Sequence, residues 1–134
     1  MPTFKDIDEA RAYFTGDRFA IENGVTLDAM GDDWARCSMP ITPRHMNANG
    51  GVMGGAIFTL ADFAAAVAAN NVHRPTVTQQ VSFNLFSNSR GARLFAHARC
   101  RRDGRTTCVY NVDVTDDLGR DIAQFVSTGY KLPE

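Results

Sequence analysis

HMNANGGVMGGAIFTLADFAAAVAAN, residues His45 to Asn70, holds the most constrained turn and the longest apolar run of the chain. Four glycines fall within six residues (Gly50, Gly51, Gly54, Gly55), and the run behind them has no further Gly and no Pro. The pattern predicts a tight loop feeding a helix that begins near Gly54 and stops around Asn70–Asn71. From Ala56 to Ala69 only Thr59 and Asp62 are polar, and seven positions are alanine. A helix apolar all round has to be enclosed, and alanines let neighbouring backbones approach closely. Asp62 breaks that pattern. Burying an ionised carboxylate is costly unless it is paired or hydrogen-bonded, so Asp62 either holds something structural or is kept for chemistry.

Upstream of this stretch, Thr3 and Asp6 have capping-box spacing. Phe4, Ile7, Ala10 and Phe14 recur at helical intervals, predicting a short amphipathic helix over residues 3–14 that ends at Gly16. Val25, Leu27 and Ala29 alternate with polar positions. The turn Gly31-Asp32-Asp33 then leads into a second alternating run, Trp34 to Ile41, so a hairpin is expected. Downstream the period changes from 3.6 to 2. Val77, Val81, Phe83 and Leu85 fall on one strand face, and simple alternation puts Thr78, Gln80, Ser82 and Asn84 on the polar face. Further strands are expected at Arg93–Arg102, Thr106–Thr115 and Asp121–Leu132, with connections short enough to favour antiparallel pairing. The expected class is α+β: a curved antiparallel sheet wrapped around the central helix, with a short N-terminal helix.

Composition narrows the functional classes. At 134 residues, with no internal repeat or linker, the chain is expected to be a single domain over 1–134. A formal net charge of -1 gives no basic footprint for nucleic acid. Cys37, Cys100 and Cys108 are an odd, widely spaced set, pointing to reduced thiols rather than a disulfide framework or a zinc site. The acidic N-terminus lacks the apolar core of a signal peptide. The central apolar run, interrupted by Asp62, is read as too short to span a bilayer, so a cytoplasmic protein with no membrane partner is expected. His73 and His97 are isolated, and no metal site is expected.

His45-x-Asn47-x-x-Gly50-x-x-Met53-Gly54-Gly55, followed by Leu60-Ala61-Asp62, resembles the pattern of hotdog-fold acyl-CoA thioesterases of the phenylacetic-acid-degradation (PaaI-like) type. Their pattern is H-x-N-x-x-G-x-x-H-G-G with an aspartate one helical stretch later. The similar layout runs from Ala20 to Lys131.

The resemblance implies a hotdog fold and an acyl-CoA thioesterase that releases a carboxylic acid and free CoA, with no cofactor beyond the CoA thioester itself. It places the oxyanion-binding N–H at Gly54, a role that a helix N-terminus suits because its free N–H groups carry partial positive charge. It makes Asp62 the nucleophile or general base, Asn47 the amide that orients the attacking water or the aspartate, and Thr78 a hydroxyl near that water. Met53, Gly55, His45 and Phe58 are the expected substrate neighbours, His45 chiefly as a hydrogen-bonder that stabilises the loop. Arg105, with Arg101 and Arg102, flanks a turn where solvated charge is the default but CoA phosphates are a possible ligand. The chain departs from the pattern at Met53, where relatives commonly carry His; methionine neither donates a hydrogen bond nor titrates.

Gly54 and Asp62 lie eight residues apart on one helix, about 12 Å along its axis, so one carbonyl cannot touch both. The resemblance accordingly implies a homodimer with sites shared between subunits, often paired again into a tetramer. Two rivals remain. A hotdog hydratase or dehydratase would call for a His with a carboxylate, and position 53 lacks the His. A non-catalytic acyl-CoA binding protein would keep the helix N-terminus and have no need of Asp62.

Overall fold

The computed structural model describes residues 2–134. Three helices, α1 (Ile7–Phe14), α2 (Arg18–Glu22) and α3 (Gly54–Val72), accompany six strands: β1 (Thr26–Met30), β2 (Trp34–Pro40), β3 (Thr76–Leu85), β4 (Arg93–Asp103), β5 (Thr107–Asp116) and β6 (Asp121–Lys131). The strands form one antiparallel sheet of order β1-β2-β4-β5-β6-β3, and α3 packs along its concave face, chiefly against β2, β4 and β5. This is the α+β hotdog arrangement expected from the sequence.

The core is the inward side of the sheet against α3: Cys37, Met39, Leu94, Val112, Val114 and Phe125 meet Leu60, Ala61, Ala64, Val67 and Ala68. The alanines permit the close approach that a strongly curved sheet requires. One stripe of α3 is not covered. Gly55, Thr59, Asp62 and Ala66, spaced i, i+4, i+7 and i+11, remain exposed or half-buried.

Several boundaries depart from the sequence reading. The first helix starts at Ile7, with Asp6 rather than Thr3 as its cap; the Asp6 carboxylate accepts from the Glu9 N–H at 2.9 Å. Thr3 instead ties the N-terminal segment to the end of α3, donating its hydroxyl to the Asn70 carbonyl at 2.6 Å. Two buried asparagines finish that end. Asn70 bonds both the N–H and the carbonyl of Thr76, and Asn71 reaches the Phe4 N–H and the Gly31 carbonyl. Helix α2 lies between Gly16 and Val25, a stretch to which the sequence reading assigned no element. With 19 residues, α3 meets the length and composition expected of a membrane span, against the sequence reading, but the sheet encloses most of it as a core helix.

The consequential departure is in β3. Thr78 pairs with Gly129 and Gln80 with Thr128, so Gln79 is an extra residue, a bulge. Beyond it Val81, Phe83 and Leu85 oppose Ser127, Phe125 and Ala123 on the helix-facing side; across it, Thr78 opposite Gly129 shares that side while Val77 turns outward. Thr78 therefore faces α3, not the polar exterior. β3 also ends the sheet, with its outer edge unpaired over ten residues.

Candidate functional site

The loop before α3 is built from its own backbone and Asn47. The Asn47 side-chain oxygen accepts from the N–H of Asn49 (2.9 Å) and of Gly51 (3.1 Å), and its N–H reaches the Gly51 carbonyl at 2.7 Å. Gly50 takes φ +82°, a left-handed conformation in which a side chain would be strained. Gly51 leaves room for the Asn88 carboxamide, which accepts from the Val52 N–H at 3.2 Å; a Cβ at position 51 would sit 3.1 Å from it. Asn88 was not singled out from the sequence, because its role depends on β3 returning to the loop. Asn47, Gly51, Leu85 and Asn88 border a cleft of about 350 Å³.

His45 is buried within this loop. Its Nδ1 accepts from the Thr42 N–H at 3.0 Å, so Nε2 carries the proton donated to the Asn23 carbonyl at 2.7 Å. Both ring nitrogens are spent inside the chain, and the His45 carbonyl accepts from the Met53 N–H at 2.8 Å. That last bond delivers Met53 as the residue that caps α3. Its side chain is 52% exposed and makes no capping bond.

At the start of α3, the N–H groups of Ala56 and Ile57 bond to the Met53 carbonyl. Those of Gly54 and Gly55 find no acceptor among the described residues. Two free donors at the positive end of a 19-residue helix suit a developing oxyanion.

Two turns further on, Asp62 is half-buried and receives the Thr78 hydroxyl at 3.4 Å, Oγ1 to Oδ1. Burial pushes its carboxyl above the ordinary aspartate range, the Thr78 hydroxyl draws it partly back, and the Asp17 carboxylate adds to the rise. Asp17 precedes α2 without capping it, and burial raises its carboxyl too. It shares with Asp62 a cleft of about 300 Å³ that Phe19, Phe58 and Phe63 also line. Asp17 and Phe19 gave no sequence signal, since α2 itself was not anticipated. A carboxylate held more basic than usual next to a hydroxyl can take a proton from water or attack a carbonyl.

Phe58, one turn after Gly54, stacks edge-on against Phe83 and Phe125, with ring centroids 5.5 and 5.1 Å apart. Within one chain the structure thus brings Asp62 and Thr78 together, and Asn47 with the Gly54 loop, as two separate groups. Arg105 lies apart from both. It sits in the β4–β5 turn beside Thr106, whose carbonyl accepts from Lys131, and Lys131 pairs with Thr76 at the far end of α3.

Comparison with known proteins agrees with this architecture. Residues 49–123 match the Thioesterase superfamily family model. The chain is 27% identical over 124 residues to acyl-coenzyme A thioesterase PaaI of Escherichia coli, covering 92% of this chain and 89% of that one. The E. coli PaaI structure superposes with a TM-score of 0.88 at 25% identity, covering 92% and 91% of the two chains. A putative esterase of Deinococcus radiodurans is 34% identical over 107 residues, covering 78% of this chain and 73% of that one. A hypothetical thioesterase of Streptococcus pneumoniae, solved with coenzyme A, has a TM-score of 0.83 at 25% identity, covering 90% and 98%. The chain therefore belongs to the hotdog-fold thioesterase superfamily, in its PaaI-like family.

Proposed function

We propose that this protein is an acyl-CoA thioesterase whose active site combines the Gly54 N–H of one subunit with Asp62 of another. The observation that carries the reading is the pairing, on one helix, of a free-donor N-terminus with a carboxylate whose proton affinity is raised. Family membership and a relative holding coenzyme A support a CoA thioester as the substrate. In the reaction, the Gly54 N–H polarises the thioester carbonyl and Asp62 takes a proton from water as the oxygen adds to the carbonyl carbon. The C–S bond then breaks, and the CoA thiolate leaves and is protonated. Attack by Asp62 itself, with water cleaving the resulting anhydride, uses the same groups. Asn47 and Thr78 orient the water and the carboxylate.

Gly54 and Asp62 are about 12 Å apart along α3, whereas a nucleophile must come within about 3–3.5 Å of the carbon it attacks. A second copy lying antiparallel across a two-fold axis removes the discrepancy. The unpaired edge of β3 and the uncovered stripe of α3 are the surfaces it would cover. Two such dimers assembling into a tetramer, and a cytoplasmic setting with its supply of CoA thioesters, complete the proposal.

A panel of acyl-CoA substrates read with a thiol-reactive reporter tests it. Turnover by the wild type that Asp62→Asn abolishes supports the enzyme. Stabilisation by acyl-CoA without turnover would assign a binding protein instead.

A further inference from the structure

The segment 51–53, which leads into Gly54, is held along both of its edges. On one edge it is zipped to the arm 45–47: Asn47 donates its N–H to the Gly51 carbonyl at 2.7 Å, Met53 donates to the His45 carbonyl at 2.8 Å, and Met46 and Val52 form an antiparallel bridge between them. Extended backbone alternates, so the Val52 N–H points the other way, and there it donates to the Asn88 Oδ1 at 3.2 Å. The first set of bonds ties the segment only to its own loop, whereas Asn88 ties it to the sheet. Asn88 stands on the connection after β3. That connection is fixed to β6 by the Phe86 N–H on the Ile122 carbonyl (2.8 Å) and to the β5–β6 turn by the Ser89 hydroxyl on Asp116 (2.7 Å). Two glycines mark how closely this end of β3 approaches: a Cβ at Gly51 would lie 3.1 Å from the Asn88 Oδ1, and one at Gly54 would lie 3.0 Å from the Leu85 Cδ1. The Asn88 side chain is exposed, and among the described residues Val52 is its one hydrogen-bond partner.

We propose that Asn88 is a positioning residue for the oxyanion donor: by holding Val52 against the end of β3 it sets the direction of the Gly54 N–H, two residues on. This rests on the thioesterase reading and adds to it a residue outside the loop and outside α3. A free N–H stabilises an oxyanion only when aimed at it, and a misplacement of about 1 Å can cost about 100-fold in rate.

The test uses acetyl-CoA and octanoyl-CoA labelled with ¹³C at the carbonyl. Asn88→Ala removes the acceptor, and Asn88→Asp keeps it. On whichever substrate turns over faster, Asn88→Ala should lower kcat by about tenfold with KM and melting temperature unchanged. That loss is smaller than the roughly 100-fold or more that deletion of an oxyanion donor costs, because the N–H is misaimed and not removed. Asn88→Asp should restore most of kcat. Infrared spectra read the same aim without turnover: in an Asp62→Asn background the carbonyl band of the bound thioester should lie below that of the free one, and adding Asn88→Ala should move it back toward the free value. An unchanged kcat overturns the proposal, as does a loss confined to KM, a loss that follows a lowered melting temperature while the band stays put, or a loss that Asn88→Asp does not repair. If the wild type hydrolyses neither substrate, the thioesterase reading fails and Asn88 is judged by the band alone, measured in the otherwise wild-type protein. A lowered band that Asn88→Ala restores upholds the positioning role, and a band at its free value in the wild type overturns it.

Discussion

The hydroxyl of Thr78 meets the carboxylate of Asp62 at 3.4 Å because Gln79 is an extra residue in β3. Without that bulge the alternation of the strand would turn Thr78 outward and leave the aspartate without a donor. Thr78→Val keeps the branched shape and removes the O–H. Since the hydroxyl draws the Asp62 carboxyl down, its loss moves the titration to higher pH, and the acid limb of the pH–rate profile should shift the same way. Turnover on the plateau should fall by about fivefold, the worth of one hydrogen bond, and Thr78→Ser should restore both readouts.

Asp62→Asn should cost about 10²–10⁴ in kcat, the usual contribution of a positioned acid or base, while CoA-thioester binding persists. It should also stabilise the fold by about 1 kcal/mol at neutral pH. The folded-state pKa of Asp62 lies above 3.8, so its ionisation opposes folding. That penalty is absent below the unfolded value, grows as pH rises toward the folded value, and persists above it. Thermal melting of Asp62→Asn and wild type should therefore converge in acid and separate near neutrality.

The elements that hold these groups were unequally legible in the sequence. The glycine loop, α3 and strands β4 to β6 were readable to within a few residues because period and turn residues agreed along each segment. Asp62 was legible for a physical reason, as a charge in an apolar helix. The placement of Thr78 was not, because a one-residue bulge reverses a strand's faces and depends on pairing with β6, some fifty positions away. Helix α2 is only five residues long, too short for a periodic signal, and Asp17 and Phe19 were missed with it. Asn88 was missed for the same kind of reason: its partner, the Val52 N–H, is distant in sequence.

Met53→His places an imidazole at the exposed cap of α3, next to the free N–H groups of Gly54 and Gly55. If it adds one hydrogen bond in the transition state, turnover should rise by about tenfold or less, seen in kcat more than in KM. Equal or lower turnover would mean that the thioether serves as an apolar wall for the acyl group.

The loop that carries Asn88 is anchored by a different aspartate. Asp116 is buried and accepts from the Ser89 hydroxyl at 2.7 Å, the Arg120 N–H at 2.8 Å and the Leu118 N–H at 3.0 Å. Burial opposes its ionisation, but these bonds prevail and hold the carboxyl below 3.8. Its stabilising effect is thus present above the unfolded pKa and lost as pH falls through the folded value. Asp116→Ala should destabilise by about 2–3 kcal/mol near neutrality in urea unfolding, with a smaller difference in strong acid.

The account stands on a site assembled from two subunits, and complementation between inactive variants measures that directly. Gly54 takes a backbone φ outside the left-handed region and occupies the first helical position, so Gly54→Pro deletes the proposed oxyanion donor where proline is best tolerated. Gly54→Pro and Asp62→Ala should each be inactive alone. Refolded together, the mixed dimers should regain activity, because one of their two sites joins an intact Gly54 to an intact Asp62. Well-folded mixed dimers, verified by mass, that remained inactive would contradict the shared site.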